Sequence, residues 1–387
     1  MGDGRQHVPG GPRSSRHRPR GPAGNGRLEP VGGARDPRHL SGLSVRQIRA
    51  RLRSAEDALE GLDADPRSYA SPQAADDIDD VRAALGYDRI DLYGASYGAT
   101  LAQYYLREHG SHVRAVVLDG GTLLDVPIFE AIADRSRDAL DSVFARCAAD
   151  ASCRTAFPDP AGELATAMAR LARHPVKTQV WDPWTHDRIV LDARTLANEI
   201  HQLLVVSDSA DVPLVIHEAA VGRYGAVAER VAETSVDPHT EATNLVMFWS
   251  IVCSEGWARF DQSRTAKVGT GSYLLRSELG VARAWALACS AMPQASLPPG
   301  DAAPVRSTVP VLLLNGAEDP QDPPSNVADA PVELPNSLVV PVPALGHTVG
   351  TRGCLPAVVA AFFDAGSVDD LDTNCVADMV PAPFAMP

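Results

Sequence analysis

The stretch Asp91-Leu-Tyr-Gly-Ala-Ser-Tyr-Gly-Ala-Thr100 contains Gly-x-Ser-x-Gly, centred on Ser96. Its flanks decide how it reads. Upstream, Ile90, Leu92 and Tyr93 form a short apolar, β-prone segment that predicts a buried strand. Downstream, Ala99, Leu101, Ala102, Tyr105 and Leu106 give an apolar-faced helix, with Gly110 as its expected stop. The motif therefore falls between a strand and a helix. A nucleophile elbow requires that position: Gly94 and Gly98 are expected to be small so the turn can be tight, and the serine hydroxyl is lifted above the sheet edge. The following helix N-terminus stabilises negative charge developing beside it. The alternative is a small-residue turn without chemistry.

A nucleophilic serine needs a base, and the base needs an orienting acid. In "VPVLLLNGAEDPQDPP", Val309–Leu314 predict a buried strand, with Asp319 a few residues beyond its carboxyl end. In "SLVVPVPALGHTVG", a second β-prone run leads to His347. The order Ser96, Asp319, His347 suits an elbow-type hydrolase, and each residue follows a strand, so a parallel sheet would gather all three on one edge. Asp319 could instead cap a turn. Glu318, Asp322 and Asp119 (in "VVLDGG") remain alternative acids. His109 and His112 flank a helix end, where positive charge suits the dipole. His174, His186, His201, His217 and His239 lack the strand-then-loop setting of His347.

From Pro66 onward the chain resembles the α/β-hydrolase serine peptidases of the tripeptidyl and prolyl aminopeptidase type, including their TAP-like C-terminal region. The segments "AADDIDDVRAALGYDRIDLYGASYGATLAQYYLREH", "VRAVVLDGG", "CAADASCRTAFPD" and "LGHTVGTRGCLPAVVAAFFDAGSVDDLDTNCVADM" carry the likeness together with the acid segment. It implies an α/β fold with a mostly parallel sheet and an inserted helical lid. It implies Ser96 as nucleophile, Asp319 as acid and His347 as base, acting on peptides with a free N-terminus. It also implies the disulfides Cys147–Cys153, Cys253–Cys289 and Cys354–Cys375; by count alone six cysteines allow fifteen pairings. Paired cysteines favour an extracytoplasmic or secreted setting, although no signal peptide is read in this chain.

The expected organisation is a non-core segment at 1–40, a first core part at 41–122, a helical lid at 123–304 and a second core part at 305–387. Ser71 is expected to cap a helix with Ala74, Ile78, Val81 and Leu85 on its inner face, ended by Gly86. Within the lid only "RIVLD" reads as a strand. Residues 1–40 are basic and rich in Gly, Pro and Arg, and are expected to be disordered, as from a misplaced start or a frame change in a GC-rich gene. The family's early strands and its glycine turn are not found there in proper form. The Tyr97 N–H would supply one oxyanion donor and the missing turn the other, so activity is expected to be weakened.

In the lid, Glu255 of "IVCSEGW" is a candidate anchor for a substrate ammonium, with Trp257, Trp249 and Trp285 as candidate pocket walls. The bland reading is a lid-surface glutamate beside core tryptophans. The net charge of −14 argues against nucleic acid as a partner. No apolar run is long enough to span a membrane, and neither a cofactor nor a metal cluster is expected. A small-ester hydrolase and an inactive remnant are the competing functional classes.

Overall fold

The computed structural model describes residues 65–183, 186–234 and 245–387. Four strands form one parallel sheet in the order β1 (Ile90–Ala95), β2 (Val113–Asp119), β5 (Val311–Gly316), β6 (Ser337–Val342). Their carboxyl ends are in register: Ala95 pairs with Asp119, and Asp119 with Leu314. Loops leaving the three strands β1, β5 and β6 therefore emerge on one edge.

The strand sequences explain the layering. Side chains alternate across a sheet, so Val116, Leu118, Val311 and Leu313 enter one core and Ala115, Val117, Leu312 and Leu314 the other. Both faces of β2 and β5 are covered, which is why these strands read as continuous apolar runs. The first face is closed by α1 (Ser71–Leu85) and α2 (Tyr97–His109), through Ala75, Ala99, Tyr104 and Tyr105. The second is closed by the last long helix, Leu355–Ala365, through Val358 and Phe362.

Two details of the first helix differ from expectation. Ala70, not Ser71, is the N-cap, and the Ser71 hydroxyl is turned to Glu255 instead. The inner face is centred on Ala75; Val81 and Leu85 are 58% and 66% exposed. Tyr87 and Tyr93 are exposed as well, and among the described residues β1 has a strand on one side only. The expectations for residues 1–40 and for the early strands lie outside the described residues.

Between β2 and β5 the chain is mostly helical. This region holds its own core, centred on Leu171, Leu191, Leu196, Ile200, Leu203 and Ile216. It also contains a two-stranded antiparallel unit, β3 (Val176–Trp181) with β4 (Arg188–Leu191). The sequence reading gives only β4. In β3 the buried inward position is Thr178, whose hydroxyl donates to the Ile189 carbonyl. No apolar alternation advertises it. The bridges Cys147–Cys153, Cys253–Cys289 and Cys354–Cys375 are all formed, with Cα–Cα separations of 5.2, 5.1 and 6.4 Å. The last ties the C-terminal tail to the core, and Phe384 beyond it packs into the helical region's core. No helix among the described residues is long and apolar enough to cross a membrane.

Candidate active site

Ser96 follows β1 directly and stands at φ 54°, ψ −123°, a conformation outside the ordinary regions for a side-chain-bearing residue. The turn is that tight because Gly94 lies against the carbonyl of Gly98, where any Cβ would collide. Gly98 itself faces open space, so only the first glycine of the motif is required by packing. The Ser96 N–H donates to the Asp119 carbonyl at 2.9 Å and pins the elbow to the neighbouring strand end.

His347 arrives on the loop after β6. Its Nε2 is 2.8 Å from Ser96 Oγ, and its Nδ1 is 2.9 Å from Asp319 Oδ2. The Asp319 Oδ1 accepts from the backbone N–H groups of Gln321 (2.8 Å) and Asp322 (3.0 Å). One carboxylate oxygen is thus fixed by the turn and the other left for the ring. The histidine loop is gripped from the helical region: the His347 N–H donates to the Val205 carbonyl at 2.8 Å and the Gly346 N–H to Ser207 Oγ at 2.9 Å. Gly346 has no room for a Cβ against the Leu204 carbonyl. Burial lowers the His347 pKa, but the hydrogen bond and charge of Asp319, then the charges of Asp322 and Asp119, outweigh it and hold it above the ordinary histidine value. Such an imidazole is primed to accept a proton from the serine.

Two of the alternative acids, Asp119 and Glu318, go elsewhere. Asp119 is buried, but its oxygens accept from the N–H groups of Val349 (2.7 Å) and Gly350 (2.9 Å) and from the Tyr93 hydroxyl (2.6 Å). It clamps the loop and does not touch the imidazole. Glu318 turns away to Arg146 (3.1 Å) and Ser209 (2.6 Å). Asp322 Oδ2 comes within 3.5 Å of His347 Nδ1. Asp119→Asn should therefore lower stability by roughly 1–3 kcal/mol, because one buried N–H loses its acceptor. It should damage kcat/KM less than Asp319→Asn does; the reverse order, measured on the two purified variants, would reassign the acid.

Beside the elbow is a cavity of ≈ 140 Å³ whose lining includes Tyr97, Tyr104, Phe129, Glu130, Glu255 and Arg259. Glu255 is only 6% exposed. Its Oε1 accepts from the Ser71 N–H at 2.6 Å and its Oε2 from Ser71 Oγ at 2.9 Å. Ser71 Oγ also meets the Tyr97 hydroxyl at 2.8 Å. Burial raises the Glu255 pKa to about 7, against the two Ser71 hydrogen bonds. Trp257 does not line this cavity. It stacks on Phe260 at 4.4 Å and joins Trp249 and Trp285 in an aromatic cluster that backs the pocket through Phe129. Glu130 is a second pocket carboxylate that the sequence reading does not single out; its Oε1 accepts from the Asp261 N–H at 3.1 Å. Its signal, an acidic residue in a mixed helical stretch, is not distinctive.

Tyr97 begins α2, so its N–H has no acceptor within that helix and is available beside Ser96. The segment expected to carry a second donor lies outside the described residues. Among the described residues, two groups of side chains bring potential metal-ligand atoms within 4.8 Å of one another, although no such cluster is expected from sequence. One is Asp319, Asp322 and His347 of this site. The other is Asp79, His109 and His112, where Asp79 is already forked onto Arg82.

The family description of the alpha/beta hydrolase fold matches residues 56–350. The chain is 25% identical over 343 residues to a protein named serine protease Hip1 from Mycobacterium tuberculosis and Mycobacterium bovis, covering 78% of this chain. It spans 60% of the length of those relatives. Similar solved structures include an epoxide hydrolase from Bacillus megaterium (12% identity, TM-score 0.33, 78% of each chain). Another is an esterase from Rhodococcus (15% identity, TM-score 0.31, 80% of this chain and 76% of the other). The family match takes in well over half of the sequence, elbow included, and the chain belongs to the α/β-hydrolase family.

Proposed function

We propose that this chain is a serine hydrolase that removes residues or short peptides from the free N-terminus of peptide substrates. The observation that carries the hydrolase reading is the unbroken relay from Ser96 Oγ to His347 Nε2 (2.8 Å) and from His347 Nδ1 to Asp319 Oδ2 (2.9 Å). In the first step Ser96 Oγ bonds to the substrate carbonyl carbon and gives its proton to His347 Nε2, while the carbonyl π pair moves to oxygen. Asp319 holds the ring and stabilises the imidazolium without taking the proton. The Tyr97 N–H donates to the oxyanion. The oxyanion pair then returns to the carbonyl and the C–N bond breaks as the imidazolium protonates the leaving amine. Water next attacks the acyl-enzyme carbonyl, giving its proton to His347, and the Oγ–C bond breaks as that proton returns to Ser96 Oγ. The helical segment 123–304 acts as a lid, shaping the pocket and gripping the histidine loop.

The peptidase part rests on the similarity to the serine protease and on the buried carboxylates. Each carboxylate can accept about four hydrogen bonds, so Glu255, already bonded to Ser71, keeps acceptor capacity for an ammonium, and Glu130 belongs to the same lining. If Glu255 anchors the substrate amine, acetylating that amine should cut kcat/KM about ten- to a hundredfold. Glu255→Gln should lower activity on free-amine substrates and barely affect acetylated ones. An equal loss on both would make Glu255 a support for Ser71 only. Peptidyl nitroanilides with free and blocked termini, run beside short acyl esters, make the comparison. Ester turnover without amide turnover would favour the esterase reading.

A further inference from the structure

Asp322 is a buried carboxylate that the triad does not account for. Its Oδ2 lies 3.5 Å from His347 Nδ1, the nitrogen that meets Asp319 at 2.9 Å. Asp322 is not placed there loosely. Thr122 Oγ1 donates to its Oδ1 and in turn accepts from Asn326 Nδ2 at 2.6 Å. Asn315 Nδ2 donates to its carbonyl at 2.8 Å, and its own N–H donates to Asp319 Oδ1 at 3.0 Å. Thr122, Asn315 and Asn326 are all buried. One oxygen is therefore fixed by the β2 loop, and the other is held toward the ring.

Burying a second carboxylate beside the first is costly unless a cation compensates. The charged groups acting on Asp322 are Asp319, His347 on the loop after β6, and Arg135 from the helix Ile132–Ala149. Asp119 adds its charge at His347. Arg135 spends its hydrogen bonds on carbonyls, those of Pro127, Ile128 and Gln321. The imidazole is the group that Asp322 Oδ2 approaches. Burial and the neighbouring Asp319 charge raise the Asp322 pKa, so the pocket favours any event that brings positive charge to the ring.

We propose that Asp322 is a second positioning residue for His347, whose charge adds to that of Asp319 when the imidazolium forms. This rests on the serine-hydrolase reading of the same site. During attack the proton passes from Ser96 Oγ to His347 Nε2 and the Nδ1 proton stays on the ring; at a pH above the raised Asp322 pKa both carboxylates are ionised. Two negative charges then face one imidazolium.

The sign follows. Removing the Asp322 charge makes the imidazolium less stable, so the titration midpoint of His347 should fall. Asp322→Asn should lower it by about half a unit to one unit, with kcat/KM at its plateau falling roughly three- to tenfold and the acid limb of the pH profile moving to lower pH. Asp322→Glu, which keeps the charge, should leave the midpoint near that of wild type. The midpoint is read by NMR from the His347 ring resonances, identified by their loss in His347→Gln, and this readout does not depend on turnover. A carboxylate that only supports the turn would reduce the folded fraction without moving the midpoint. An unmoved midpoint in folded Asp322→Asn overturns the proposal. Failure of a fluorophosphonate to label wild-type Ser96 would sink the hydrolase reading, while the NMR titration would still report on Asp322.

Discussion

Ser96→Ala is expected to reduce kcat/KM by about 10⁴-fold or more while leaving the fold intact. The elbow conformation at φ 54° is imposed by the surrounding turn, and alanine keeps the Cβ that serine already places there. The Ser96 backbone bond to the Asp119 carbonyl is unaffected. Only the hydroxyl is lost, and with it the atom 2.8 Å from His347 Nε2. Circular dichroism and a denaturation midpoint close to wild type would show that the loss is chemical. Residual activity within tenfold of wild type would remove Ser96 as the nucleophile.

His347→Ala should be nearly as damaging, and the pair of substitutions should not be additive. The serine is a weak nucleophile until a base takes its proton, so removing either partner removes the same step. Triads measured this way lose about as much from one member as from several. Ser96→Ala/His347→Ala should therefore lie within about tenfold of the worse single variant. A double variant a thousandfold below both would mean that the two residues act independently, and would contradict a relay through their 2.8 Å contact. The wild-type profile should also lose activity as pH falls through a midpoint above the ordinary histidine value, because His347 must be neutral to accept the proton and its pKa is raised.

Much of this site is legible in the sequence because three residues each follow an apolar β-prone run. A parallel sheet places the ends of such runs on one edge whatever the intervening length, so a separation of 251 positions between Ser96 and His347 does not obscure the pairing. What could not be read depends on side-chain direction. Asp319 and Asp322 are three apart in a Pro-rich turn, and nothing in "EDPQDPP" tells that both face the same imidazole. Asp119 has the strand-end position of an acid, yet its oxygens are taken by the N–H groups of Val349 and Gly350. Ser71 reads as a helix cap because its local signal is right. Its hydroxyl is claimed by Glu255, 184 residues away. Val81 and Leu85 have helical spacing but point outward, since spacing fixes a face and not what covers it. The strand Val176–Trp181 is hidden because its buried position is a threonine paired to a backbone carbonyl.

Labelling with a fluorophosphonate tests whether Ser96 is an activated nucleophile. The purified protein is incubated with the reagent, its intact mass measured and the modified peptide mapped. A single adduct is expected on the peptide containing Ser96, blocked by prior incubation with substrate and lost in both Ser96→Ala and His347→Ala. No adduct on folded wild-type protein, or an adduct on a residue other than Ser96, would contradict it.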